Sequence, residues 1–183
     1  MFYLGQKLPF LLVLASVILW ALVFSQTSRA DTLKVGDQAP LFSLPNQQDK
    51  PLSLEAFRGA WVVLYFYPKD ETPGCTTEAC SFRDNINRLI AQDAKVLGVS
   101  LDSVESHRKF AAKHKLPFDL LADVKGEVAS DYGALLDLKV IRFAKRHSFI
   151  IDPQGNIAKI YRSVDADNHV REVLKDLQLL QSR

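Results

Sequence analysis

Cysteine is scarce in this chain: Cys75 and Cys80 are the only two in 183 residues. Their spacing, Cys-x-x-x-x-Cys, is not the Cys-x-x-Cys of a disulfide exchanger. Two thiols and four scattered histidines, none at ligand spacing to them, also make a poor zinc site. A large excess of either charge is lacking too. Lys and Arg number 23 against 21 acidic residues, and the excess of two is Lys7 and Arg29. Without a basic field there is nothing to attract nucleic acid or an anionic membrane. The cluster Arg142, Lys145, Arg146, His147 is short and reads by itself as a solvated loop. Repeats, low-complexity stretches and a second domain are all missing.

One long apolar run is present. Leu8 to Ser28 carries no formal charge, Lys7 precedes it, and Ser28-Arg29-Ala30 offers a small-x-small cleavage site before Asp31. That order is the grammar of an export signal, while the length also suits an uncleaved anchor over residues 8–28. The expectation is a signal peptide or membrane anchor in 1–30 and one domain in 31–183, exported to a periplasm-like or lumenal compartment.

Within that domain, Trp61 to Tyr67 is β-branched and aromatic without polar alternation, as in a strand buried on both faces. Pro68 and Pro73-Gly74 break it, and from Cys75 the apolar residues Ala79, Phe82, Ile86 and Leu89 recur at helical spacing. Val96 to Leu101 reads as a second buried strand. Asp102 with Glu105 reads as the capping pair of a helix reaching about Lys115, closed by Pro117. A short helix is expected around Val128 to Tyr132. His147–Ile151 and Ile157–Tyr161 flank a Pro- and Gly-containing link, a hairpin signal. Val170, Val173, Leu174, Leu177 and Leu180 line one face of a last helix. This order predicts an α/β domain with a mixed central sheet and helices over both faces. His107, His114 and His169 read as surface positions on helices, and His147 as structural or exposed.

Cys75 follows a buried strand and a Pro-Gly turn and opens a helix. In open α/β sheets reactive groups gather at the carboxyl ends of strands. A helix N-terminus offers unpaired N–H donors and a positive dipole end, which favour thiolate over thiol. Cys80 lies five residues on. In a regular helix such positions have Cα atoms roughly 8–9 Å apart, whereas a disulfide needs roughly 4.4–6.8 Å. Bonding them would therefore unwind the first turn, which suits a pair that cycles more than a permanent staple.

The segment Tyr67-Pro68-Lys69-Asp70-Glu71-Thr72-Pro73-Gly74-Cys75-Thr76-Thr77-Glu78-Ala79-Cys80 resembles the active-site segment of peroxiredoxins, in the bacterioferritin comigratory protein or PrxQ branch. The resemblance extends through Gly36–Pro40, the strand at Trp61 and Arg146–Asp152, covering nearly all of Leu33 to Leu180. It implies a thioredoxin-like fold and an atypical two-cysteine peroxidase. Cys75 would be the peroxidatic thiol and Cys80 the resolving one. Thr72 would exchange hydrogen bonds with thiolate and peroxide, Arg146 would hold the anionic sulfur, and Pro68 would shield the pocket. Glu78 would orient the arginine. No metal, haem or flavin is implied; the partners would be a hydroperoxide and a thioredoxin-like reductant, and the chain would be a monomer. Two other classes compete: an exported thiol–disulfide exchanger, and a noncatalytic domain stapled by its cysteines.

Overall fold

The computed structural model describes residues 33–182, so the expected leader lies outside the described residues. The centre is a five-stranded sheet. Its middle strand, β3 (Trp61–Phe66), is flanked on one side by β4 (Ala94–Ser100) and then β5 (Asp119–Ala122), all parallel. On the other side β8 (Ser148–Ile151) and β9 (Ile157–Tyr161) run antiparallel to their neighbours. The mixed sheet and the 148–161 hairpin are as the residue pattern predicts. Two small antiparallel pairs stand apart: β1 (Ser43–Pro45) with β2 (Pro51–Ser53), and β6 (Leu135–Asp137) with β7 (Arg142–Ala144).

Alternation along β3 sends its side chains into two cores. Val63, Tyr65 and Tyr67 face α1 (Pro73–Asp84), α2 (Ile86–Ile90), α3 (Val104–His114) and α5 (His169–Gln181). Val62, Leu64 and Phe66 face the N-terminal segment, the 3-10 turn Leu54–Phe57 and α4 (Glu127–Asp131). The absence of polar alternation in Trp61–Tyr67 follows: both faces of this strand are covered.

The start of α3 differs from expectation. Ser103, not Asp102, is its cap, and Ser103 Oγ accepts from the Ser106 N–H at 3.2 Å. Asp102 is held elsewhere: its Oδ2 accepts from Ser100 Oγ and from the Asp70 N–H, each at 2.8 Å. A carboxylate beside a serine competes for the same cap, and here it is drawn to the loop before α1.

Candidate active site

The site assembles at the carboxyl end of β3. Thr72 is the N-cap of α1, Pro73 takes the first turn, and Cys75 lies in that turn, buried, on the side of Tyr65 and Phe82. Arg146 comes from the segment that leads into β8, the strand beside β3. Because β8 runs antiparallel to β3 with Tyr65 opposite Ser148, the residue two before Ser148 passes the end of β3. This brings groups 71 positions apart together, Arg146 Nη2 donating to Cys75 Sγ at 3.3 Å. Gly74 makes room, since a Cβ there would lie 3.2 Å from the same Nη2.

Glu78 is one helical turn beyond Cys75 and fully buried, and its Oε2 accepts from Arg146 Nη1. One guanidinium therefore spans the sulfur and the carboxylate. Burial pushes Glu78 up to about 7, although the Arg146 charge pulls the other way. Burial likewise opposes the charge on Arg146, but Glu78 and Cys75 outweigh it and hold the guanidinium cationic. A carboxyl that is half protonated near neutrality leaves much of the arginine's charge for the sulfur.

Behind this pair stands His169, the first residue of α5 and fully buried, with Nε2 at 2.9 Å from Ser148 Oγ. Burial, then the Arg146 charge, holds His169 down to about 4, so the ring is neutral. Its Nε2 lies 3.9 Å from Glu78 Oε1, a distance that makes no ion pair with a neutral ring. Among the described residues, Glu78 Oε1 and His169 Nδ1 have no hydrogen-bond partner.

The remaining expected residues fall into place unevenly. Thr72 Oγ1 donates to Lys69 O at 2.9 Å, so its proton is not aimed at the sulfur; the oxygen keeps its accepting capacity. Pro68 is half-buried in the bend after β3. Cys80 is half-buried on the same helix and both thiols are free. α1 is continuous through both cysteines, the arrangement in which they cannot bond.

His107, His114 and His169 overturn their surface reading, and His147 takes the structural one of its two readings. His107 and His169 are completely buried and His147 nearly so, while the His114 side chain is only 17% exposed. His107 Nδ1 meets Asp70 Oδ2 at 2.9 Å, and Asp70 also accepts from Tyr67 OH at 2.8 Å and from Ser106 Oγ at 2.7 Å. The His107 Nε2 stands 3.2 Å from Leu121 O. This second cluster ties the loop before α1 to α3. A signal was available: His107, Phe110 and His114 repeat at three and four, the stripe that faces a core.

Comparison with known proteins places these features among relatives. The AhpC/TSA family profile matches residues 35–160. The chain is 41% identical over 153 residues to peroxiredoxin Bcp of Bacillus subtilis, covering 80% of this chain and 96% of that one. It is 42% identical over 146 residues to the chloroplastic peroxiredoxin Q of Sedum lineare, covering 79% and 78%. The crystal structure of peroxidoxin BcpB from Mycobacterium tuberculosis superposes with a TM-score of 0.77 at 34% identity, covering 81% of this chain and 98% of that one.

Proposed function

Because this chain belongs to the AhpC/TSA family, with the Bcp and peroxiredoxin Q proteins as relatives, we propose the following cycle for its two thiols. The protein is a thiol-dependent peroxidase. The Cys75 thiolate attacks the distal oxygen of a hydroperoxide; the O–O bond breaks, water or an alcohol leaves, and Cys75 becomes a sulfenic acid. Cys80 then attacks that sulfur, water departs, and a Cys75–Cys80 disulfide forms. A thioredoxin-type dithiol reduces it by exchange.

The observation that carries this reading is the Arg146 contact to Cys75 at 3.3 Å inside a buried, glycine-lined turn. A fixed cation and oriented helix N–H groups stabilise the thiolate, and the same groups face the charge that develops on the departing oxygen. Thr72 Oγ1 suits acceptance of the peroxide's O–H. Pro68 narrows solvent access beside it. We also assign the domain at 31–183 to an exported compartment, supported by the apolar run before Asp31; its reductant would then be exported or tethered.

Peroxide consumption by the purified protein under a dithiol reductant tests the cycle. Turnover should vanish in Cys75→Ser, whereas Cys80→Ser should form the sulfenic acid yet no intramolecular disulfide. Equal turnover in Cys75→Ser would sink the assignment and favour disulfide exchange.

A further inference from the structure

Cys80 has a partner of its own. Its Sγ lies 3.9 Å from Nδ1 of His114, the last residue of α3. On the other side of that ring, Nε2 is buried with no hydrogen bond among the described residues and faces Glu71 Oε2 at 3.6 Å. Thiol, imidazole and carboxylate thus stand in line, the order in which a base is set against a nucleophile. The ring is mostly buried and packs edge-on against Phe110, with centroids 5.0 Å apart, and the backbone carbonyl of His114 accepts from Arg83 Nη1 at 2.8 Å. Lys113 is bonded to Glu71, and Glu71 itself holds a left-handed backbone, φ 61°, in the turn that precedes α1. Among the described residues, the charged and titratable groups around His114 are therefore Glu71 from that turn, Cys80 and Arg83 from α1, and Lys113 beside it on α3.

Resting on the two-thiol cycle above, we propose that His114 is the base that readies Cys80 for the resolving step. Nδ1 takes the Cys80 proton, and Glu71 stabilises the imidazolium from the Nε2 side. The first turns of α1 then unwind and the Cys80 sulfur attacks the sulfenic sulfur of Cys75. The S–S bond forms as the S–O bond breaks. The oxygen leaves as water, carrying its own hydrogen and the proton returned from His114. No outside oxidant enters, since the peroxide has already oxidised Cys75. Cys75 itself draws on Arg146 and the helix terminus, so each thiol has a separate source of activation.

The test follows the two steps separately by rapid quench and mass spectrometry, comparing the intact protein with His114→Gln. Formation of the sulfenic acid is the internal reference. At pH 7 disulfide formation should slow about tenfold in the variant, less than the ~10²–10⁴ a positioned base can contribute, because an ordinary thiol is already a few per cent ionised there. The gap should close by about pH 9.5, where an ordinary thiol ionises unaided. The second measurement is alkylation of Cys80 by iodoacetamide in a Cys75→Ser background, which needs no peroxide; His114→Gln should slow it at pH 7 and not at pH 9.5. Disulfide formation and alkylation that are unchanged or faster in the variant would overturn the proposal and leave His114 as a clamp on α1. A constant deficit at every pH would overturn it as well. Failure of the sulfenic acid to form in the intact protein would count against the peroxidase cycle, while the alkylation profile would still decide the role of His114.

Discussion

Two polar clusters lie buried on either side of the first turn of α1, and they are built on opposite terms. Around Asp70 every demand is met: the carboxylate accepts from Tyr67, His107 and Ser106, and the Asp70 N–H reaches Asp102. Burial works against ionisation of Asp70, yet His107 and the hydroxyl donors hold its carboxyl below the usual range. Around Glu78 the demands are left partly unmet, with one carboxylate oxygen and one imidazole nitrogen unpartnered among the described residues. A satisfied network fixes a conformation; an unsatisfied one keeps charge available. The first cluster therefore fixes the loop that carries Thr72 to Cys75, and in the proposed cycle the second would supply the field in which the sulfur reacts.

The largest expected effect is on the reactive side. Arg146→Met removes the donor at 3.3 Å from Cys75 Sγ. The rate of Cys75 oxidation should fall about 10²–10³-fold, as when a preorganised donor to a developing anion is lost. Stability should change little, because the Glu78 carboxyl can keep its proton once the cation is gone. Stopped-flow oxidation and urea unfolding measure the two quantities on the same sample. Asp70→Ala should show the reverse ordering. It strips a buried acceptor from three side-chain donors, and the loss should be about 3 kcal/mol of unfolding free energy. Oxidation of Cys75 should slow only several-fold, through a loosened loop. If Asp70→Ala kept its stability and lost as much rate as Arg146→Met, the division between the clusters would fail.

What could be read from residues alone follows the same line. β3 was legible because a strand covered on both faces has only one composition, and the order of strands and helices followed from it. The place of Cys75 in the first turn of α1 was legible because a strand followed by a Pro-Gly turn has a meaning without any partner. Arg146 became a candidate through the resemblance, since alone it sits in a basic cluster; antiparallel pairing of β8 with β3 explains its reach. The buried histidines were misread because a polar residue on an apolar stripe is judged by its own character. His107 is paid for by Asp70, 37 positions away, and His169 by Ser148, 21 positions away. The hairpin β6–β7 and the Ser103 cap depended on choices between adjacent residues that tertiary contacts settled.

The smallest effect sharpens the comparison through pH. Glu78 titrates at about 7 in the fold against 4.5 for an ordinary glutamate. Between those values the native state keeps a proton that the unfolded chain has released, so this group lowers stability as pH rises. His147 and His169 act with the opposite sign. Each is held at about 4, His147 by burial and then by the charges of Arg162 and Lys145. An unfolded histidine takes up its proton near 6.5, so their contribution is complete above that value and is lost as pH falls toward 4. Between pH 4.5 and 6.5 two histidines oppose one carboxyl, and the net stability should rise; from 6.5 to 7 the histidine contribution tails off, Glu78 offsets what remains and the rise should stop. Glu78→Gln removes the opposing group. Relative to the parent, the variant should gain stability steadily across pH 4.5 to 7, by on the order of 2 kcal/mol over the window. Urea unfolding at half-unit pH intervals reads this directly. A difference between the two proteins that stays flat with pH would mean that Glu78 is already ionised and fully absorbed by Arg146, and the Glu78 cluster would then be as satisfied as the one around Asp70.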